Sequence, residues 1–191
     1  TRESAATAGK KAFVTNRVNT VNGVRYSNDS TIAVISIAGE PQPPASEECG
    51  KATSTAGLTD FFSRTLAYLA TVDTNHLRSS GGLIHLDWQY LYGGGGSGID
   101  GAAIFAMPEN TLPALHTYPP QYAGDGTPID YQTPDMSAVA AANAKPWFTE
   151  EFGWTQSTGD ATRAERYAWL YGEQATHGSS GALFWNLGLE V

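Results

Sequence analysis

The sequence predicts an α/β fold built from about five parallel β/α units. Three observations lead there. Short β-branched or apolar runs alternate with longer stretches of helical periodicity, at a spacing of about 35–45 residues. The 191-residue chain is 41% hydrophobic and 16% charged, a balance that supports a packed core and argues against disorder. The long, aromatic and charged segments follow the expected strands, whereas the segments before them are short, as when a site sits at the C-terminal ends of parallel strands. Two architectures satisfy this pattern, an arc of a (β/α)8 barrel and an open doubly wound sheet, and the loop lengths lean toward the barrel. No internal repeat or linker divides the chain, so residues 1–191 read as a single domain.

Each element has its own signal. Lys11, Val14, Val18 and Val21 recur at helical spacing, so residues 8–21 read as a short amphipathic helix. A turn at Asn28-Asp29-Ser30 precedes the β-branched run Thr31–Ala38, a buried strand closed by Gly39-Glu40-Pro41. Gln42–Ala56 is a polar loop. Thr59 or Asp60 caps the next helix, whose Phe62, Thr65, Leu66 and Leu69 share a face. Asn75–His85 is a second strand containing two glycines, and Asp87–Asn110 a long glycine-rich loop. Leu112–Tyr118 is a third strand, stopped by Pro119-Pro120. After a loop over Tyr122–Thr133, Thr133-Pro134 opens an alanine-rich helix to Ala144. Lys145–Phe152 is a fourth strand and Ser180–Leu187 a fifth. Between them, Asp160–Thr176 is a helix with Ala164, Tyr167, Ala168 and Tyr171 on one side.

Composition excludes several functions. Eleven basic against nineteen acidic residues give a net charge of −8, so nucleic acid and anionic membranes are not expected partners. No apolar run approaches the roughly 20 residues of a membrane span. Cys49 is the sole cysteine, which rules out an internal disulfide framework. His76, His85, His116 and His177 show no metal-binding spacing, and neither a metal nor a cofactor is expected. Gly96–Gly101 matches G-x-G-x-x-G formally but lies in the long loop without a strand-turn-helix context. No G-x-S-x-G elbow exists. Thr1–Gly9 has no initiating Met, basic start or apolar region, so it is not a signal peptide and the chain reads as processed or cut from something longer. Five Trp, nine Tyr and seven Phe are many for this length, and flat aromatic faces in an acidic chain suit a neutral ligand such as a sugar.

Four places hold candidate chemistry. On the first strand, Ser36, Ala38 and Glu40 share a face opposite Ile35 and Ile37, which puts a carboxylate at the strand end. Glu150-Glu151 ends the fourth strand, and strict alternation lets only one of the two face a barrel interior. An exposed acidic strand end is the plain alternative for that pair. His116 and Tyr118, two apart, leave one face of the third strand and together could orient a carboxylate. Trp185 ends the last strand, either as core or as a platform for a pyranose.

As a set, NRVN with TIAVISIAGEP (16–19 and 31–41), HTYPP (116–120), KPWFTEEFG (145–153) and GALFWNLG (181–188) resemble glycoside hydrolase family 5, retaining (β/α)8 glycosidases, with wording closest to β-mannanases and cellulases. The resemblance spans nearly the whole chain from residue 16. It implies a partial TIM barrel whose five strands match the family's fourth to eighth. It implies Glu40 as general acid/base and Glu151 as nucleophile, with His116 and Tyr118 orienting the nucleophile side. Trp185 would floor the sugar, and Trp147, Trp154, Trp88 and His85 would line the cleft. The implied reaction is endo-type double displacement on a β-1,4-linked mannan or glucan, by a secreted enzyme. A glycan-binding homologue with little catalysis is the alternative. Two departures stand out. Gly39 replaces the family's usual Asn before the acid/base, and about three strands of the barrel are absent. The exposed edges of such an arc imply a missing N-terminal half-barrel or self-association.

Overall fold

The computed structural model describes residues 16–41, 55–83, 99–118, 121–122, 128–130 and 132–185. Its strands are β1 (Val34–Ser36), β2 (Leu77–Ser79), β3 (Gly82–Leu83), β4 (Ala114–Thr117), β5 (Gln121–Tyr122), β6 (Pro128–Ile129), β7 (Phe148–Phe152) and β8 (Ala182–Phe184). The helices are α1 (Thr55–Val72), α2 (Gly101–Ala106), α3 (Gln132–Ala142) and α4 (Asp160–Thr176). β1 pairs with β2, β3 with β4, β4 with β7 and β7 with β8, all in parallel. β2 and β3 form one strand position interrupted at Ser80-Gly81. The β1 ladder runs on past that interruption: the backbone N–H groups of Ile37, Ala38 and Glu40 donate to the carbonyls of Ser79, Ser80 and Gly82. Neighbours in the sheet therefore follow chain order without reversal. A doubly wound sheet reverses its order at a switch point, so this is an arc of a barrel.

The helices pack on one side of this arc. Phe62 and Leu66 of α1, Ile104 and Phe105 of α2, and Met136 and Ala140 of α3 form a buried cluster with Leu83, Ile99, Leu115 and Trp147. Truncating a buried phenylalanine such as Phe62 or Phe105 would cost about 3–5 kcal/mol. The expected stripe Phe62, Leu66, Leu69 is indeed buried. α1 begins at Thr55, though, so Thr59 and Asp60 lie inside it, where Asp60 pairs with Arg64 at 2.5 Å. Trp147, expected in the cleft, belongs to this core because it precedes β7 on the helix side.

Polar groups fix the registers that the apolar core leaves loose. Asp130 caps α3 by accepting from the backbone N–H groups of Gln132 and Thr133, and also from the Thr117 and Thr133 hydroxyls. The Gln174 amide donates to Thr133, and its carbonyl accepts from Thr149, so β4, α3, β7 and α4 share one buried network. Lys145 donates to the carbonyls of Phe105 and Met107 at the C-terminal end of α2. Burial lowers its pKa. At the N-terminal ends of the strands, buried His76 bridges the Asp73 carboxylate (2.6 Å) and the Asp29 carbonyl (3.0 Å).

Some expectations need correction. Residues 17–21 are not helical. The Asn19 and Asn22 side chains accept from Val21 N–H and Val24 N–H and donate to Asp29, so side-chain turns replace the helix. Val21 lies 93% exposed. The long loop over 87–110 contains α2, opened by the Asp100 carboxylate capping Ala103 N–H at 2.9 Å. Residues 96–98 of the formal glycine motif lie outside the described residues. The loop over 122–133 contributes β6 of the small antiparallel pair. On α4 the buried positions are Leu170 and Gln174, with Tyr167 and Tyr171 against Phe152, while Ala164 and Ala168 are exposed. Among the described residues no helix is long and apolar enough to cross a membrane.

The strand interruption has a steric cause. Gly81 has φ +91°, and a Cβ there would sit 1.8 Å from the Ala38 carbonyl oxygen. At Gly82 a Cβ would sit 1.7 Å from Cδ2 of His116. Gly82→Ala is expected to destabilise the fold by about 1–3 kcal/mol. Gly172→Ala, inside α4 and facing open space, is expected to stabilise it by about 0.5–1 kcal/mol. Chemical denaturation of the two variants beside the parent checks both signs.

Candidate active site

β4 and β7 lie out of simple alternation with one another, and this builds the site. Leu115 pairs with Thr149, but His116 pairs with Glu151, so Glu150 is an extra residue in β7. The same displacement recurs against β8, where Thr149 pairs with Ala182 and Phe152 with Phe184. A bulge leaves one strand with two residues opposite one and resets which way its side chains point. Thr149 before it and Phe152 after it both face the helices, toward Gln174 and toward Tyr167 and Tyr171. Glu150 and Glu151 both face the other side. The expectation that only one of the pair could do so is overturned by this inserted residue.

The two glutamates have different surroundings. Glu150 Oε1 accepts from the Ser36 hydroxyl (2.6 Å), and Oε2 accepts from Gly82 N–H (2.5 Å) and lies 3.6 Å from His116 Nε2. Glu151 Oε1 accepts from the Tyr118 hydroxyl, and Oε2 lies 3.8 Å from His116 Nδ1. His116 Nδ1 also meets Glu40 Oε1 at 3.0 Å. One oxygen of Glu40, one of Glu151 and a His116 nitrogen all lie within 4.8 Å of one another. By ligand type these three could also hold a divalent cation. Histidine spacing carried no hint of that trio, because its members come from three separate strand ends.

Local backbone chemistry positions each group. Glu40 adopts φ +47°, a left-handed conformation that costs a non-glycine residue about 1–3 kcal/mol and clusters at functional sites. Its N–H is anchored to the Gly82 carbonyl. His116, in β4, is buried and Tyr118, just past its end, half-buried; both reach the same carboxylate cluster, as their spacing implied. Gly82 lets the His116 ring lie against the β3 backbone. Gly153 lets Tyr118 and the end of β8 close in, since a Cβ there would be 3.0 Å from Tyr118 Cε1 and 2.8 Å from the Trp185 carbonyl oxygen. Trp185 follows β8, its N–H bonded to the Phe152 carbonyl and its side of the chain 57% exposed. Trp154 packs beneath the Arg166 guanidinium of α4 at 5.6 Å. His85 and Trp88 lie outside the described residues.

Sequence reasoning missed Glu150 as a member of the cluster, along with Ser36 and Gly82 as its partners. The adjacent acids and the double glycine were the available signals.

Electrostatics follow the geometry. Burial opposes charging of His116, but the carboxylates of Glu150, Glu40 and Glu151 outweigh it and raise its pKa. Both ring nitrogens face carboxylates, which suits the doubly protonated ring. Burial likewise opposes charging of Glu150, yet His116, Ser36 and Gly82 N–H lower its pKa overall. Burial and then the Glu151 carboxylate push the Tyr118 phenol well above its usual range, keeping it a donor. His76 and Asp73 repeat the pattern, each opposed by burial, with His76 raised and Asp73 lowered through their mutual contact.

These directions fix how stability depends on pH. A raised imidazole contributes fully below its ordinary value of 6.5 and loses that contribution as pH climbs through the raised value. A lowered carboxylate contributes fully above its ordinary value, 4.5 for Glu150, and loses it as pH falls through the lowered one. Thermal melts are therefore expected to peak between these two values and to decline as pH rises through the raised His116 value. His116→Asn should flatten the alkaline decline. An unfolding midpoint that rises steadily above the peak would contradict these assignments.

No family model matches the chain. It is 27% identical over 203 residues to "Putative mannan endo-1,4-beta-mannosidase 9" of Oryza sativa subsp. japonica, covering 93% of this chain and 47% of that protein. The endo-1,4-β-mannanase from Rhizomucor miehei superposes with a TM-score of 0.75 at 29% identity, covering 97% of this chain and 53% of that one. A glycoside hydrolase family 5 mannosidase from Rhizomucor miehei, solved with mannosyl-fructose, superposes with a TM-score of 0.62 at 21% identity over 98% of this chain and 48% of its own. The chain thus spans about half the length of the proteins it matches. In sequence and in fold it is similar to part of the (β/α)8 barrel of the glycoside hydrolase family 5 mannanases.

Proposed function

We propose that this chain carries the catalytic half of a retaining glycoside hydrolase that cleaves β-1,4-linked mannan by double displacement. The observation that carries the reading is the approach of Glu40 and Glu151, with an oxygen of each within 4.8 Å. Retaining enzymes hold their two carboxyl groups about 5–5.5 Å apart, whereas inverting enzymes need about 6.5–9.5 Å to admit a water. The similarity to mannanases at 27% and 29% identity favours mannan over cellulose.

In this scheme Glu151 attacks the anomeric carbon. The bond to the leaving oxygen breaks, and that oxygen takes the proton of Glu40. Glu40, now a carboxylate, removes a proton from water. The water oxygen bonds to the anomeric carbon, and Glu151 departs as a carboxylate. Tyr118 donates to Glu151 Oε1 and fixes the carboxylate for attack. His116 holds Glu40 through Nδ1. Trp185, exposed beside the strand ends, offers a flat face to the pyranose. A polymeric substrate is consistent with a secreted parent protein.

Gly39 favours a second reading, a glycan-binding homologue with weak chemistry. The backbone before Glu40 has no side chain to bond the sugar 2-hydroxyl, a contact that strengthens in the transition state.

Reducing-sugar release from β-1,4-mannan, measured beside binding to the same polymer, separates the two. The hydrolase reading expects Glu40→Gln and Glu151→Gln each to lower kcat by about 10²–10⁴-fold while binding persists. Binding without any release in the parent chain would leave only the second reading. Space exists for the missing side chain, since a Cβ on Gly39 would lie 3.9 Å from His116 Cε1, an ordinary contact. Gly39→Asn is therefore expected to fold normally and to raise kcat/KM by about 10–100-fold. An unchanged rate in a well-folded variant would show that position 39 does not address the sugar.

A further inference from the structure

We propose that Glu150 is a positioning residue of this site. It pins the His116 ring between three strands and serves as its dedicated counter-ion, without itself touching sugar. The inference rests on the glycosidase reading of Glu40 and Glu151.

The geometry of Glu150 is that of a strut. Ser36 of β1 and Gly82 N–H of β3 take its two oxygens, and Oε2 also faces His116 Nε2 from β4. A carboxylate engaged on both oxygens by the scaffold has little left to offer a substrate. Its neighbour Glu151, by contrast, is oriented from one side by Tyr118. Gly82 serves twice here, since it donates its N–H to Glu150 and, lacking a Cβ, admits the ring that Glu150 faces. If Glu150 moved, the His116 ring would keep its contact with bare backbone but lose what fixes its Nε2 edge.

Charge counting gives the second argument. Among the described residues, the ionisable groups facing His116 are Glu40 beyond β1 and Glu150 and Glu151 of β7, while Tyr118 reaches the cluster through Glu151. From β3 the bare backbone of Gly82 lies against the ring. A retaining cycle needs one of Glu40 and Glu151 protonated and the other ionised at the start. Were those two the only partners of a charged His116, the imidazolium would favour ionising both and withdraw the proton that the leaving group needs. Glu150 supplies a third carboxylate. It balances the imidazolium, so the working pair can carry one proton between them.

The test reads His116 without substrate. Ring nitrogen shifts followed by NMR against pH should show the His116 midpoint falling by about one unit or more in Glu150→Gln, and recovering toward the parent value in Glu150→Asp. In mannan hydrolysis, Glu150→Gln should lower kcat by about 10–100-fold with KM nearly unchanged, and should move the alkaline limb of the pH profile. Ser36→Ala, which loosens the strut without altering charge, should lower kcat several-fold while leaving the His116 midpoint near the parent value. An unmoved His116 midpoint in a folded Glu150→Gln variant overturns the proposal, as does a KM effect in place of a kcat effect. Absence of hydrolysis in the parent chain would instead overturn the glycosidase reading, and the NMR titration would still decide whether Glu150 governs His116.

Discussion

The site depends on one inserted residue in one strand. Without the bulge at Glu150, strict alternation would send Glu151 toward α4 and into the aromatic cluster of Phe152, Tyr167 and Tyr171. With it, two successive carboxylates share the interior face, and the helix-facing side of β7 keeps Thr149 and Phe152 in their buried places. The bulge thus lets one strand serve a core and a cluster of charges at once. Its register is held from both neighbours, through the pairings of β4 and β8, and from behind by the Thr149–Gln174–Thr133–Asp130 network.

Close backbone approach is the second requirement. His116 can sit at the centre of three carboxylates only because Gly82 presents no Cβ to its ring. Gly81, at positive φ, lets the end of β1 cross closely enough to deliver Glu40. Glu40 in turn sits in a left-handed conformation that the surrounding hydrogen bonds must hold. Glu40, Gly81 and Gly82 lie together at this end of the sheet, whereas the buried Asp29–His76–Asp73 contacts brace the opposite ends of the strands.

Much of this was legible in the sequence, for identifiable reasons. The β-branched run before Glu40, the periodic helix α4 and the alanine-rich α3 carry strong local signals, and all three appear within a few residues of their expected bounds. His116 lies in β4 and Tyr118 directly follows it, so a two-residue spacing sufficed to place them together. What alternation could not reveal was an irregularity. A bulge adds a residue that alternation does not register, so alternation put only one of Glu150 and Glu151 on the interior face. The segment near residue 19 failed differently. Valines at helical spacing suggested a helix, but Asn19 and Asn22 formed side-chain turns and bonded Asp29 instead, a competition that apolar periodicity ignores. Trp147 shows the limit of residue type, since an aromatic close to the acidic pair belonged to the core.

A coherent account of the cluster assigns Glu40 and Glu151 to the sugar and Glu150 to the scaffold, with His116 joining them. The sharpest measurement distinguishes the adjacent glutamates directly. A 2-deoxy-2-fluoro-mannosyl donor with a good leaving group slows release of a glycosyl-enzyme, and peptide mass spectrometry then locates the bound sugar. The account predicts label on Glu151 alone. Label on Glu150, or on Glu40, would contradict it, because the bulge would then be aiming a different carboxylate at the anomeric carbon.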